Sequence, residues 1–363
     1  MRIVVIGLSL SSSWGNGHAT TWRALLKGLG RIGHEVRFLE QDVPYYAAHR
    51  DLPQPDFARL DLYASLDDLR RRFAGVVRSA DAVIVGSYVQ SGIEVIDWVA
   101  ETGSGLLAFY DIDTPVTLAR LARGDCAYIA ARQIPSLDLY LSFTGGPTLR
   151  VIERELGARA ARALYCSVDI ERYRPPRVRD SRWRLGYMGT YSPDRQGAVE
   201  ALLLETARRH SGDAFVLAGP SYPEPMDRPA NLLHLPHLPP SDHPAFYGAQ
   251  DFTLNLTRAD MRKAGWSPSV RLFEAAACGT PIISDRWAGI GTLFPEGEAI
   301  LVADGPGDMD RFLALSPEER SLIGSAAHEI VRERHTGERR AGELERHLAG
   351  ARRRLPESLE ATP

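Results

Sequence analysis

Short apolar runs and longer stretches of helical spacing alternate along this chain. Residues 2–7 (Arg2-Ile3-Val4-Val5-Ile6-Gly7) are apolar on both faces, the mark of a buried parallel strand. After a Ser/Gly-rich loop, Trp22, Leu25, Leu26 and Leu29 recur on one face of a predicted helix over 18–29, with Gly30 or Gly33 to cap it. Residues 35–40 give the next strand, and further strands are predicted at 82–86, 105–110 and 137–143, with helices at 92–100 and 148–156. Pro175, Pro176 and a dense set of arginines and aspartates then interrupt the pattern, as linkers do. The alternation restarts with strands at 184–189, 214–218, 251–256 and 281–284 and helices at 198–209 and 270–278. Residues 316–355 read as charged amphipathic helices.

Strands alternating with helices predict an α/β protein built of two doubly wound, Rossmann-like parallel-sheet domains facing an interdomain cleft. The domains expected are 1–170 and 171–330, with a helical segment, 331–363, packing back on the N-terminal domain; 363 residues suffice for two cores.

Composition changes this picture little. A formal net charge of −3 argues against a general nucleic-acid binder. The first ten residues are too short an apolar run for a signal peptide, and Trp14-Gly15-Asn16-Gly17-His18 stands where a cleavage site belongs. No stretch reaches the ~20 apolar residues of a membrane span. A cytoplasmic protein is expected. Cys126, Cys166 and Cys278 are too scattered for a disulfide framework or a zinc site, and the tail Arg352-Arg353-Arg354 reads as a solvated helix end.

Ligands of open α/β sheets bind at the carboxyl ends of the strands, so four loops are informative. In Gly15-Asn16-Gly17-His18, glycines admit a ligand to the backbone, helix-start amides suit an anion, and His18 is a candidate base; a surface or capping histidine is the plain alternative. In 189–195, Gly189, Thr190 and Tyr191 precede Arg195, a candidate phosphate partner or a solvent-facing arginine. In 265–281, Ser267, Pro268 and Ser269 precede Val270, Arg271 and Glu274 at a helix start, where free amides suit a diphosphate and the carboxylate suits two vicinal hydroxyls; a core helix with a buried, paired glutamate competes. In 110–115, Asp111 and Asp113 could act as bases or merely cap the next helix.

Arg271-Leu272-Phe273-Glu274-Ala275-Ala276-Ala277-Cys278-Gly279-Thr280-Pro281 resembles the donor-binding signature of group 1 glycosyltransferases. With stretches 13–20, 110–118, 141–149, 165–169 and 186–196, the chain resembles the CgeB-like (spore maturation protein) family of bacterial GT-B glycosyltransferases. The resemblance implies a GT-B fold, transfer from a nucleoside-diphosphate sugar (UDP- or dTDP-sugars favoured) to an acceptor it does not name, no metal and no cofactor. It implies that Glu274 holds a ribose, that Ser269 with its neighbours Ser267, Val270 and Arg271 holds the diphosphate, and that Arg195 neutralises it. Leu235-Pro236-His237-Leu238 would touch the base. Gly17, Gly189, Thr190 and Tyr191 complete the expected donor site, and His18, Asp111 and Asp113 the expected catalytic set. One departure stands out: Trp266 occupies the position of a glutamate typical of the group, so neither that glutamate's sugar contact nor the group's usual retaining stereochemistry is implied here. Three other readings compete: a nucleotide-sugar epimerase, a non-catalytic nucleotide-sugar binder, and a dehydrogenase with Glu40 on a ribose, although the dinucleotide fingerprint is incomplete.

Overall fold

The computed structural model describes residues 1–14, 17–103, 105–178, 180–223 and 225–353. Gly15 and Asn16 of the predicted glycine turn, and Arg354 of the basic tail, lie outside the described residues. The chain forms two compact units, Met1–Tyr165 with the segment from Gly337 onward, and Cys166–Thr336.

The first unit holds a seven-stranded sheet in the order β3-β2-β1-β4-β5-β6-β7. Its strands are β1 (Arg2–Gly7), β2 (Glu35–Gln41), β3 (Arg59–Tyr63), β4 (Ala82–Gly86), β5 (Leu106–Asp111), β6 (Leu139–Ser142) and β7 (Ala161–Ala163). All pairings are parallel. Helices follow β1 (His18–Arg31), β3 (Leu66–Arg78), β4 (Gly92–Thr102) and β5 (Thr114–Arg123). Central strands β4 and β5 are buried along their whole length, as expected of strands covered on both faces. The chain order reverses between β1 and β4, so the loops leaving those strands flank the switch point where ligands of such sheets bind. The last helix, Gly337–Arg352, packs on the first. Glycines permit that approach: a Cβ on Gly28 would meet the Gly337 carbonyl at 2.2 Å, and one on Gly337 the Ala24 carbonyl at 2.0 Å.

The second unit holds a six-stranded parallel sheet in the order β10-β9-β8-β11-β12-β13. The strands are β8 (Trp183–Met188), β9 (Phe215–Ala218), β10 (Leu232–Leu235), β11 (Gln250–Asn255), β12 (Ile282–Asp285) and β13 (Leu301–Ala303). Its switch point lies between β8 and β11. The helix predicted over 198–209 starts earlier, at Pro193, whose fixed φ suits a first helical turn. A π-helical turn, Glu200–Leu204, interrupts it before it ends at Arg209. After β11 a short helix, Ala259–Ala264, precedes the helix Val270–Ala277, which has Ser269 as N-cap. The Ser269 side chain does not close that cap; its hydroxyl donates to Asn255 Oδ1 at 2.7 Å instead.

Candidate functional site

In the second unit the switch point gathers two guanidinium groups. The Arg271 Nη1 donates to Asn255 Oδ1 at 2.9 Å, and its Nε to the Met188 carbonyl at the end of β8. The same guanidinium lies 5.0 Å over the Tyr187 ring. The Arg195 Nη2 donates to the Thr190 carbonyl at 2.6 Å, and its buried Nε finds no partner among the described residues. Among the described residues neither arginine is ion-paired to a carboxylate; their side-chain bonds go to neutral oxygens. Burial lowers the Arg195 pKa, and Arg271 adds like-charge repulsion. Asp285 feels Arg262 and Arg271, but its oxygens accept from the Thr257 amide and hydroxyl. The buried Tyr187 hydroxyl is also without a partner. Two half-buried cations with spare donors, beside the starts of the Pro193–Arg209 and Val270–Ala277 helices, make a place suited to an anion.

Gly189, Thr190 and Tyr191 run from β8 toward this point, with Thr190 exposed and Tyr191 edge-on to Tyr222. Ser267 is buried and Val270 half-buried. Glu274 lies one turn into its helix at 3% exposure. Its carboxylate accepts from the Tyr173 hydroxyl at 2.9 Å and the Tyr247 hydroxyl at 3.2 Å, with His243 Nδ1 at 3.5 Å. Burial, then the charge of Glu274, holds both phenols well above their usual pKa. A carboxylate has about four acceptor positions, so two tyrosines leave room for further donors. Leu238 lines a groove of about 480 Å³ together with Leu235, Arg182 and Trp183. His237 is exposed.

Trp266 adopts φ 44°, rare for a bulky residue. Its ring covers Gly289, where a Cβ would come within 2.4 Å of the indole nitrogen, so only glycine leaves space for it.

In the first unit the loops after β1, β4 and β5 carry the polar groups. Gly17 is exposed at the N-cap of the first helix. His18, the next residue, is buried, its ring edge-on to Tyr88 at 5.4 Å, and its Nδ1 has no partner among the described residues. Burial lowers the His18 pKa, partly opposed by the charge of Asp113. Tyr88 stands just beyond β4 with φ 63° and donates its hydroxyl to Asp113 Oδ2 at 3.0 Å. Asp113 is half-buried and makes no side-chain cap to the following helix.

Asp111 differs from Asp113 completely. It is fully buried, and its carboxylate accepts from the Tyr140 hydroxyl at 2.6 Å and the Thr117 hydroxyl at 2.8 Å. Thr117 also bonds the Tyr128 hydroxyl at 2.7 Å. Burial raises Asp111 to about 7 against the pull of those two hydrogen bonds. Asp111 is thus sealed by its neighbours, whereas Asp113 is only half-buried.

Tyr88, Asn255 and the tyrosines around Glu274 were not legible as site residues. Tyr88 and Asn255 do sit at carboxyl ends of strands, the positional signal that could have found them. Glu40, considered for a cofactor ribose, is taken by its own unit: its carboxylate accepts from the Leu10 amide at 2.6 Å, the Ser11 amide at 2.9 Å and the Ser11 hydroxyl at 2.6 Å.

Residues 195–346 match the sequence profile of the family described as "Glycosyl transferase-like". No curated protein sequence matches the chain significantly. Among solved structures, an alpha-glucosyltransferase in complex with UDP aligns at TM-score 0.72 and 14% identity over 96% of this chain and 100% of its own. HepE from Anabaena in complex with UDP-glucose aligns at TM-score 0.70 and 12% identity over 96% and 100%. Sucrose-phosphate synthase from Thermosynechococcus elongatus aligns at TM-score 0.66 and 16% identity over 96% and 99%. The chain thus has the GT-B fold, two parallel-sheet α/β units, as the sequence led us to expect.

Proposed function

We propose that this chain is a glycosyltransferase that takes a sugar from a nucleoside-diphosphate donor, UDP- or dTDP-linked, with its second unit holding the donor. The observation that carries the reading is the pair Arg195 and Arg271, two half-buried guanidiniums bonded only to neutral oxygens beside two helix starts. Half-buried cations whose side-chain bonds go only to neutral oxygens are suited to an anion that completes them. The profile match over 195–346 covers this same region, and structures of the same fold contain UDP or UDP-glucose.

Glycosyl transfer gathers negative charge on the departing diphosphate, and preorganised donors aimed at that charge lower the barrier. In this reading Arg195, Arg271 and the amides ahead of Val270 receive the diphosphate, and Ser267 and Ser269 shape that turn. Glu274 holds the pentose, sharing its carboxylate with Tyr173 and Tyr247. His18 and Asp113 in the first unit serve the acceptor hydroxyl or the leaving group, and Asp111 positions Asp113. The arginines supply the countercharge, so transfer is expected to persist in excess EDTA.

A thermal-shift screen against UDP-, dTDP- and GDP-sugars tests the reading, because a ligand at ~100 times its Kd adds about 2.7 kcal/mol of apparent stability. A raised melting temperature with one donor class, followed by nucleotide release, is expected. No shift with any donor and no heat of UDP binding by calorimetry would remove the proposal. Conversion of donor to an isomeric nucleotide sugar, with none released, would make the chain an epimerase; binding without either product would make it a sensor.

A further inference from the structure

Beside the β1 loop the first unit presents aromatic rings to solvent. Tyr45, at 57% exposure, is among the few large apolar side chains exposed. It meets Tyr46 at 5.2 Å and His49 at 6.3 Å between ring centroids, and His49 stacks on Trp14 at 4.2 Å and 15°. Four rings from two chain segments therefore make one continuous surface. They belong to the β1 loop that leads to His18 and to residues 42–51 just after β2.

A dense polar frame holds these rings in place. The Asp51 carboxylate accepts from the Ser13 amide at 3.0 Å, the Ser13 hydroxyl at 2.8 Å and both terminal nitrogens of Arg23 at 2.7 and 2.8 Å. Burial alone would raise Asp51, but those bonds bring it down to about 2. The Ser12 hydroxyl donates to the His49 carbonyl at 2.8 Å, the Leu52 amide to the Ser11 carbonyl at 2.9 Å, and Arg50 reaches both Ser11 and Asp42. Arg23 ties the frame to the first helix through the Leu10 carbonyl at 2.9 Å. Beneath it, Glu40 fixes the amides of Leu10 and Ser11.

Rigid aromatic faces held open to solvent are preorganised for a ligand, since ordering them on binding costs nothing further. Their charge pattern selects the ligand. Arg23 and Arg50 are each paired with an aspartate, Asp51 and Asp42, so the surface offers no excess cation to a polyanion. Aromatic faces bordered by neutralised polar groups suit a ring with an apolar C–H face and a hydroxylated edge. We infer that Trp14, Tyr45 and His49 form an acceptor subsite that stacks a pyranose of a neutral glycan. The inference rests on the glycosyltransferase reading and names the acceptor class for it.

Saturation-transfer NMR on the full chain in the presence of UDP tests this, with cellobiose, maltotriose, N,N′-diacetylchitobiose and a hexathymidylate oligonucleotide as probes. We expect saturation on the ring C–H protons of at least one neutral glycan, and at least a tenfold loss of that transfer in Tyr45→Ala and in His49→Ala, with UDP signals unchanged. Tyr45 is mostly exposed, so its removal leaves the core intact. UDP signals with none from any glycan, equal glycan transfer in the variants, or engagement of the oligonucleotide instead would each overturn the subsite. Glycan transfer without UDP signals would overturn the donor reading and leave the platform standing.

Discussion

The two units carry opposite kinds of ionisable group at equivalent edges of their sheets. In the second, at the switch point between β8 and β11, Arg195 and Arg271 bond only to neutral oxygens. In the first, around the loops after β1, β4 and β5, Asp111 and Asp113 bond only to hydroxyls and backbone among their described partners. The carboxyl edge of one sheet thus carries guanidiniums without a carboxylate hydrogen-bond partner among the described residues, and that of the other carries carboxyls without a cationic one. The difference teaches how the fold divides labour. In the proposed reading, the two guanidiniums receive an anion that arrives with the substrate. On the same reading the half-buried Asp113, whose charge acts on His18, is the group that takes a proton.

The sharpest way to break that comparison is to neutralise the open carboxylate. Asp113→Asn should lower the rate of nucleotide release from the best donor by about 10²-fold or more, the usual scale for losing a positioned acid–base group, with UDP affinity unchanged. Calorimetry and a coupled nucleotide-release assay separate the two effects. A fall in UDP affinity instead would show that the first unit's acids serve the donor and that the division is wrong.

The complementary change acts on binding. Arg195→Ala should raise the Kd for UDP about tenfold to a hundredfold, since a hydrogen bond to a charged group is worth about 1.5–3 kcal/mol. Arg195 bonds a single carbonyl, so the melting temperature without ligand should hardly move. Unchanged UDP affinity would leave the guanidinium pair without its proposed partner.

These outcomes concern residues of uneven legibility. Nine central strands follow from apolar runs, because burial on both faces forces such runs. The four strands that the pattern misses, β3, β7, β10 and β13, are the edges of their sheets. An edge strand such as Arg59-Leu60-Asp61-Leu62-Tyr63 alternates with polar residues and carries no such run. The site behaves similarly. Arg271 and Glu274 are visible because helix-start chemistry is local. Tyr173 and Tyr247, 101 and 27 residues from Glu274, reach it only through tertiary folding. Asp111 and Asp113 look alike in sequence; burial and the bonds from Tyr140 and Thr117 separate their surroundings.

That separation has its own pH signature. Asp111 titrates near 3.8 when unfolded and at about 7 when folded, so the folded state binds more protons between those values. Stability from the protonated carboxyl is complete below the unfolded pKa and is lost as pH rises toward 7, with a slope up to about 1.4 kcal/mol per pH unit. Asp111→Asn should flatten the dependence between pH 4 and 7. The check is the melting temperature of both proteins across that range. Parallel curves would mean that Asp111 is charged in the fold, and the contrast with Asp113 would weaken.

The smallest expected effect concerns strain. Tyr88 and Ser91 both occupy the left-handed region in the turn after β4, at φ 63° and 52°. Tyr88 has a reason to be there, since its hydroxyl reaches Asp113 and its ring borders His18. Ser91 is exposed, and its side chain does not cap the helix it precedes. Ser91→Gly relieves the strain of a left-handed residue, about 1–2 kcal/mol, and is offset by about 0.5–1 kcal/mol of glycine's extra unfolded-state entropy. A net gain near 0.5 kcal/mol should raise the melting temperature by about 1–2 °C. Nucleotide release should be unchanged, because the strain that serves the site belongs to Tyr88. If Ser91→Gly instead slows release as Tyr88→Phe would, the whole turn holds Asp113 in place, and the first unit's chemistry extends to the backbone of this loop.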